Sequence, residues 1–288
     1  NESKYNIVGV LSNPPKRMKR SKDISFTPVG NLAKKLNLNL FTPEDLSSSQ
    51  TLDWINFLKP DLIVVVAFRI LPNSITSIPK FKAVNLHASL LPKYRGAAPI
   101  QHAIMRNDSY TGNTTFLIEQ KVDRGNIILQ QRVEIKKNDN FATLSKRMSE
   151  LGAELLLESL DAIKNPMFEP IIQDDSQATF APKIHKSFGR INWSESSQLI
   201  HSKIQAISFS PGTFTKLNRK RLKIYESKLT FDKSNVIPGT VICTNNKIIV
   251  SCSDFFLELI EVQLEGKKKM HALDWFRGRG EKSGFNFD

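Results

Sequence analysis

The chain has 288 residues, of which 40% are hydrophobic and 24% charged, a composition that excludes an intrinsically disordered protein. Its 41 Lys and Arg outnumber its 28 Asp and Glu, and the net charge of +13 indicates a polyanionic partner such as tRNA, DNA or an anionic membrane. Two cysteines, Cys243 and Cys252, are too few for a disulfide framework and favour a reducing compartment.

The first half of the chain alternates compact apolar runs with helix-like patterns, which is typical of an α/β fold. The aliphatic run 61–68 predicts a central parallel strand covered on both faces. Another strand is expected over 81–86, and it leads into a loop that contains Pro92 and Gly96. The other predicted elements are strands over 5–11, 38–41, 114–118 and 127–130, and helices over 30–36, 42–58, 100–105 and 141–163.

The second half of the chain has a different pattern. Residues 165–190 are poor in periodic signal and predict a linker or a wrap-around chain. The next segment, 195–207, predicts a helix capped by Ser194. Short strands follow at close spacing and indicate a small β-barrel or sandwich; they are expected over 213–217, 221–229, 239–244, 247–252 and 255–262. We therefore expect a catalytic domain over 1–180, a linker and helix over 181–205, and a barrel domain over 206–288.

Basic residues are concentrated near the N-terminus. Lys16, Arg17, Lys19, Arg20 and Lys22 lie within seven positions, and such a run predicts a mobile surface loop because its charges repel one another. From the residues alone, a phosphate-contacting arm and an ordinary solvated loop are both open interpretations. A second basic run lies in the predicted barrel and consists of Lys267, Lys268 and Lys269.

Asn85 and His87 end the strand predicted over 81–86. Because they are two residues apart, their side chains point to the same face, so an amide donor and an imidazole are aimed together. Asp123, at the end of another predicted strand, is a candidate partner that would orient the imidazole and favour its protonated form. Such a trio suits attack by an amine on an acyl-type carbon, with Asn85 stabilising the oxyanion and His87 handling protons. A hydrogen-bonded structural histidine is the alternative interpretation.

Other chemistries find no support in the sequence. There is no Ser on a nucleophile elbow and neither cysteine has an obvious histidine partner, so we expect direct transfer without a covalent enzyme intermediate. No glycine-rich dinucleotide motif or nucleoside triphosphate loop occurs. The other histidines lack the spacing of metal ligands, and we predict no metal site; they are His102, His185, His201 and His271.

At this point three motifs carry a resemblance to a known family. Asn85-Leu86-His87, the run from Ser89 to Gln101, and Asp123-Arg124-Gly125 resemble the signature of the formyltetrahydrofolate-dependent formyltransferases. The similarity extends to both ends of the chain, through 8–10 with the basic loop and 27–29, and through 266–270 with 274–278. The resemblance implies a Rossmann-like N-terminal domain and an OB-like C-terminal barrel. Members of the family begin with one more strand and helix, so we expect the N-terminus of this chain to be incomplete.

The resemblance also implies a reaction and the residues that perform it. Asn85, His87 and Asp123 would be the catalytic trio. The formyl donor would be 10-formyltetrahydrofolate, consumed in each turnover with no permanently bound cofactor, and it would bind to Ser89, Leu90, Leu91 and Pro92. The acceptor would be methionine on initiator tRNA, whose acceptor end the loop around Arg20 enters while Lys267 to Lys269 add contacts.

Two alternatives stay open. One is a formyltransferase that acts on a small amine, such as a sugar nucleotide or glycinamide ribonucleotide. The other is a truncated, inactive tRNA-binding protein. In each case we expect a monomer with no membrane partner, located in the bacterial cytoplasm or in an organelle matrix.

Overall fold

The computed structural model describes residues 5–17, 24–278 and 283–287. The chain forms two compact units. The first unit contains the residues up to His87 together with Thr114–Gln130 and Glu154–Asp175. The second contains Ala88–Asn113, Gln131–Ala153 and the residues from Ser176 onward.

The first unit begins with short elements joined by capped helices. Thr27 caps the first helix through its side-chain oxygen, which accepts a hydrogen bond from the Gly30 N–H at 3.0 Å, and Pro28 occupies the first helical turn. The elements up to residue 87 are β1 (Val10–Leu11), β2 (Lys16–Arg17), β3 (Ile24–Ser25), α1 (Pro28–Lys35), β4 (Leu40–Phe41), α2 (Ser49–Leu58), β5 (Ile63–Val66), α3 (Asn73–Thr76) and β6 (Ala83–His87).

Two of the predicted boundaries in this region are wrong. The strand expected over 5–11 is reduced to β1, and Ile7 and Val8 before it are 49% and 38% exposed. The helix expected from residue 42 begins at Ser49, because Ser48 supplies the N-cap by accepting a hydrogen bond from the Thr51 N–H. Between residues 42 and 49, the Asp45 carboxylate accepts a hydrogen bond from the Ser47 N–H at 2.8 Å, which stabilises a turn.

A four-stranded sheet has the order β5-β6-β7-β8, where β7 is Tyr110–Leu117 and β8 is Ile127–Glu134. The pairing of β5 with β6 is parallel, and that of β6 with β7 is antiparallel. The prediction that 61–68 forms a central strand covered on both faces is wrong, since β5 is the edge strand of this sheet within the described residues. Val64 and Val66 are accordingly 41% and 51% exposed.

The apolar core of the first unit lies where α2, α3 and β5 meet. Ile55, Val65 and Ile75 are its buried centre, and Ile75 is fully excluded from solvent. Each contributes roughly 1.5–3 kcal/mol through burial of its side chain. This packing fixes the position of β5. Because Val65 of β5 pairs in parallel with Asn85 of β6, it also fixes where Asn85 lies along the strand direction.

The second unit contains a curled antiparallel sheet in the order β15-β11-β12-β13-β10-β9, with β14 beside β13. This agrees with the small barrel predicted from the closely spaced strands. The elements are α4 (Pro99–Met105), the first half of α5 (Phe141–Lys164), α6 (Ser197–Ile207), β9 (Thr213–Leu217), β10 (Lys220–Lys233), β11 (Thr240–Thr244), β12 (Lys247–Ser251), β13 (Phe255–Leu264), β14 (Met270–His271), α7 (Ala272–Arg277) and β15 (Phe285–Asn286).

Local sequence explains the tight hairpins of this sheet. Asn218 and Arg219 join β9 to β10 with φ of 50° and 66°, and Asn245 and Asn246 join β11 to β12 with φ of 47° and 58°. Two consecutive left-handed residues match the twist of the flanking strands, and asparagine tolerates that conformation best after glycine. The sheet encloses a core to which α6 and Trp193 contribute.

His201 on α6 gives the second unit a measurable pH dependence. Burial, with a smaller effect from the charge of Lys137, lowers the pKa of His201 to about 4. An unfolded chain takes up this proton near pH 6.5, so the folded state loses stability as the pH falls from about 6.5 toward 4. We expect the free energy of unfolding, measured by urea denaturation, to drop by about 2 kcal/mol more between about pH 7.5 and pH 5 in the wild type than in His201→Gln. Equal drops in the two proteins would contradict this assignment.

Two further observations concern the cysteines and the helices. Cys243 and Cys252 are both free thiols, the first half-buried and the second buried. Among the helices of the described residues, none has the length and apolar character required to cross a bilayer.

Candidate active site

The site is built on the carboxyl end of β6. Asn85 lies opposite Phe116 of β7, and His87 lies opposite Thr114, so the four side chains share one face of the sheet. His87 is 7% exposed and Asn85 is half-buried. The alternation along β6 therefore places an amide and an imidazole side by side, as the sequence predicts.

The structure brings Asp123 to the same place. The Nδ1 atom of His87 lies 3.9 Å from Oδ2 of Asp123, and the two side chains are only 7% and 10% exposed. This distance is within the range of an ion pair but longer than the 2.7–3.2 Å or so of a direct N–H···O hydrogen bond. All three predicted catalytic residues belong to the first unit.

The loop that carries Asp123 has an unusual backbone. Asp123 has a φ of 55°, which is left-handed and costs a non-glycine residue on the order of 1 kcal/mol. At Gly125 an added Cβ would lie only 1.6 Å from the carbonyl oxygen of Leu117, so only glycine fits. The loop also accepts a hydrogen bond at the Asn126 carbonyl from the Leu117 N–H at 3.0 Å. It is thereby held flat against the end of β7.

The sequence does not predict one residue of this site, Gln173. The sequence predicts a linker or a wrap-around chain over 165–190. Within this segment Gln173 is buried, and its side-chain amide donates to the backbone carbonyls of Asp123 at 3.0 Å and Gly125 at 2.7 Å. No local pattern singles out this glutamine, because its partners lie about fifty positions earlier in the chain.

The predicted folate-binding residues belong to the second unit. Ser89 is fully buried, and its hydroxyl donates to the Lys93 carbonyl at 2.6 Å, which closes the turn that follows β6. Leu91 is also buried, whereas Leu90 and Pro92 are half-buried. Of the four, only Leu90 and Pro92 therefore present accessible side-chain surface within this unit.

A cavity of about 400 Å³ lies in the first unit beyond the ends of β4 and β5. Glu44–Ser47 and Arg69–Pro72 line it. The Arg69 guanidinium donates to the carbonyls of Pro43 at 2.7 Å and Glu44 at 2.8 Å, which braces the loop after β4. The lining segments follow the carboxyl ends of β4 and β5, each of which pairs in parallel with another strand.

The basic run near the N-terminus is described in part. Lys16 is exposed, and β2 pairs with β3 in an antiparallel ribbon, Lys16 with Ser25 and Arg17 with Ile24. The first two residues of the segment predicted as a mobile loop are thus a strand, because Lys16 and Arg17 pair with Ser25 and Ile24 beyond it. Lys19, Arg20 and Lys22 lie outside the described residues.

The C-terminal basic run is exposed between β13 and β14. Lys267 and Lys268 lie at the surface, and Lys269 contacts the Glu261 carboxylate at 2.5 Å with its ammonium 4.8 Å from the centre of the Tyr225 ring. Lys267 and Lys268 are therefore better placed than Lys269 to meet an external phosphate.

Comparison with known proteins identifies the family. Residues 1–160 match the family described as formyl transferase, and residues 183–280 match the formyl transferase C-terminal domain. The chain therefore belongs to the formyl transferase family.

Its relatives include enzymes that act on tRNA. The chain is 41% identical over 288 residues to the methionyl-tRNA formyltransferase of Caldicellulosiruptor saccharolyticus, which covers 98% of this chain and 92% of the relative. It is 39% identical over 279 residues to that of Staphylococcus aureus strain MW2, covering 96% and 90%. The solved methionyl-tRNA formyltransferase of Clostridium thermocellum superposes with a TM-score of 0.56 at 19% identity, over 80% of this chain and 91% of that one, and it shares the fold.

Proposed function

We propose that this protein transfers a formyl group from 10-formyltetrahydrofolate to the α-amino group of methionine on initiator tRNA. The observation that carries the proposal is that Asn85 and His87 share one face at the end of β6 and that the Asp123 carboxylate lies 3.9 Å from His87. The family, and 41% identity to a methionyl-tRNA formyltransferase over nearly the whole chain, select the tRNA-bound amine as acceptor.

In the proposed mechanism the methionyl amine attacks the formyl carbon directly. The new C–N bond forms as the carbonyl electrons move to oxygen, and the Asn85 carboxamide donates a hydrogen bond to that oxyanion. The intermediate collapses when the bond from the formyl carbon to the folate nitrogen breaks. The proton lost by the amine is delivered to that nitrogen, with His87 as the group that manages the transfer.

Asp123 supports His87 in this scheme. A carboxylate beside a buried imidazole orients the ring. The 3.9 Å separation is compatible with this role, since catalytic hydrogen bonds are often long before substrate binds and tighten in the complex. The trio contains no nucleophile, so the transfer proceeds without a formyl-enzyme.

For the folate donor we propose the turn Ser89–Pro92 as the binding segment. In the first unit, taken by itself, the cavity lined by Glu44–Ser47 and Arg69–Pro72 is a candidate small-ligand site. Its volume of about 400 Å³ is within the range of small-ligand sites, roughly 300–1,000 Å³. In the turn Ser89–Pro92, the half-buried Leu90 and Pro92 supply apolar surface. The donor is a substrate and leaves after each turnover.

For the tRNA we propose two contact regions. The first is the basic run from Lys16 to Lys22, with Arg20 as its main residue. The second is the exposed turn at Lys267 and Lys268. Lysine and arginine side chains neutralise phosphates and release counterions, so binding should weaken steeply as salt is raised.

A formylation assay with matched acceptors tests the proposal. The protein is incubated with 10-formyltetrahydrofolate and either methionine-charged initiator tRNA or an amino-sugar nucleotide. We expect formylmethionyl-tRNA as the product and no reaction with the sugar. Activity on the sugar alone would establish the small-amine alternative, and salt-sensitive tRNA binding without any formyl transfer would establish an inactive tRNA-binding protein.

Arg20→Ala tests the basic run. Loss of one phosphate contact should raise the KM for Met-tRNA about tenfold with little change in kcat, and should flatten the dependence of KM on salt. Lys146→Ala, a charge removed from the exposed face of α5, is the matched control and should behave as wild type. Unchanged kinetics in Arg20→Ala would leave the basic run as an ordinary solvated segment.

We further propose that the protein acts as a monomer in the bacterial cytoplasm or in an organelle matrix. Two free thiols and relatives from bacteria support this location.

A further inference from the structure

The segment 171–175 has a pattern of exposure opposite to that expected from its residue types. Ile171 and Ile172 are 65% and 79% exposed, whereas the polar Gln173 between them and the acidic pair is 8% exposed. Burying an amide is costly unless its hydrogen bonds are made. The glutamine therefore lies inside because it has specific partners there.

Those partners are backbone groups of the loop 123–126 that carries Asp123, called here the Asp123 loop. The single amide nitrogen of Gln173 donates to the carbonyl oxygens of Asp123 and Gly125, at 3.0 and 2.7 Å. The Asp123 carbonyl belongs to the peptide group before Arg124, and the Gly125 carbonyl to the peptide group after Gly125. One side chain therefore fixes the peptide planes on both sides of the Arg124–Gly125 pair. Two donors in one planar group leave the loop little rotational freedom.

Backbone contacts attach the same segment next to the loop. The Ile171 N–H donates to the Ile127 carbonyl and the Ile127 N–H donates to the Ile171 carbonyl, both at 2.8 Å. An ion pair joins Arg124 to Asp175 at 2.9 Å, but the two side chains are 37% and 61% exposed, so it adds little stability. The buried amide and the paired backbone are the contacts that hold the segment in place.

The Asp123 loop needs such support. Its φ of 55° is unfavourable for an aspartate, and a loop in that conformation persists only where its surroundings impose it. Relaxation of Asp123 to a negative φ would turn its Cα–Cβ bond and carry the carboxylate away from His87 Nδ1, now 3.9 Å away. The hydrogen bonds from Gln173 act directly on the peptide groups that would have to rotate.

We propose that Gln173 is a positioning residue for catalysis, which holds the Asp123 carboxylate against His87 by binding the backbone of the loop that carries it. This inference rests on the proposed function, in which His87 and Asp123 act together in formyl transfer. The segment from Ile171 to Asp175 is then part of the active site.

The first test is kinetic. Gln173→Met keeps the length of the side chain and removes both donors. We expect kcat for Met-tRNA formylation to fall at least tenfold while KM for Met-tRNA stays within twofold. Gln50→Met, the same change at an exposed position of α2, is the control and should leave both constants unchanged. A normal kcat in Gln173→Met overturns the proposal.

A double-mutant comparison separates positioning from general destabilisation. If Gln173 acts through Asp123, then Gln173→Met should cause no more than a twofold further loss of kcat in an Asp123→Asn protein. A full second loss, equal to that in the wild-type background, would mean that the two residues act independently and would overturn the proposal. Gln173→Asn, which keeps the amide on a shorter chain, serves in the same comparison if Gln173→Met does not fold.

The last readout needs no activity. The ring-nitrogen NMR signals of His87 report the group that faces the imidazole, and they should move in Gln173→Met toward their positions in Asp123→Asn. Unmoved signals would overturn the positioning role even if formylation is normal in the wild type. If instead the wild type forms no formylmethionyl-tRNA while the signals move, the proposed function fails and the role of Gln173 in holding Asp123 stands.

Discussion

Replacement of His87 by alanine is expected to lower kcat for Met-tRNA formylation by about 10³-fold, within the range of roughly 10²–10⁴ for loss of a general acid–base group. His87 is 7% exposed at the end of β6, and its ring nitrogen lies 3.9 Å from the Asp123 carboxylate. The affinity for tRNA, measured by a filter or fluorescence binding assay, should change less than twofold, because the buried ring offers little surface to a macromolecule.

The control for this variant is His185→Ala, which removes an exposed histidine outside the trio. It should leave kcat within twofold of the wild type. A His87→Ala protein that turns over normally at saturating substrate and binds tRNA weakly would show that His87 is a binding residue.

Gly125→Ala is expected to have the second-largest effect. The new Cβ would lie 1.6 Å from the Leu117 carbonyl oxygen and 2.8 Å from the Leu117 carbonyl carbon, so the loop must move away from β7. Since Asp123 is two residues earlier, its carboxylate moves as well, and a displacement of about 1 Å costs on the order of 10²-fold in rate. We also expect stability to fall by on the order of 2 kcal/mol, as a lower thermal midpoint.

The matched substitution is Gly278→Ala at the end of α7. There φ is −68° and the nearest atom to an added Cβ is 3.3 Å away, so the methyl group can be accommodated with a small adjustment. Thermal unfolding and steady-state formylation of both variants form the measurement. If Gly125→Ala retains full activity, the flat packing of the loop on β7 is not required for catalysis.

The sequence predicts an element well where its ends are set by residues next to it in the chain. The strand over 213–217 has the predicted bounds. The helix expected over 30–36 begins two residues earlier, at Pro28, because Thr27 supplies the N-cap and Pro28 occupies the first turn. Ambiguity arises where several residues could serve equally well. Thr42, Ser47, Ser48 and Ser49 are all suitable caps, and in the structure Ser48 is the one that caps α2, the helix that carries the buried Ile55.

The sequence predicts the presence of a strand better than it predicts how far the strand is buried. The run Ile63–Val66 is apolar on both faces and predicts a strand at the centre of a sheet, yet two of its four valine and isoleucine side chains are more than 40% exposed. An apolar strand pattern shows that both faces tolerate burial, but the number of neighbouring strands is a property of the assembled sheet.

The pairing of Asn85 with His87 follows from strand periodicity alone, since residues two apart on a strand share a face whatever surrounds them. The chemistry available at that point, an amide donor beside an imidazole, is therefore encoded locally. The position of Asp123 is different: it depends on a left-handed backbone, on the absence of a side chain at Gly125, and on two hydrogen bonds from Gln173. These contacts join residues that are distant in the chain, so their geometry is set by folding and has no signature in any short stretch of sequence.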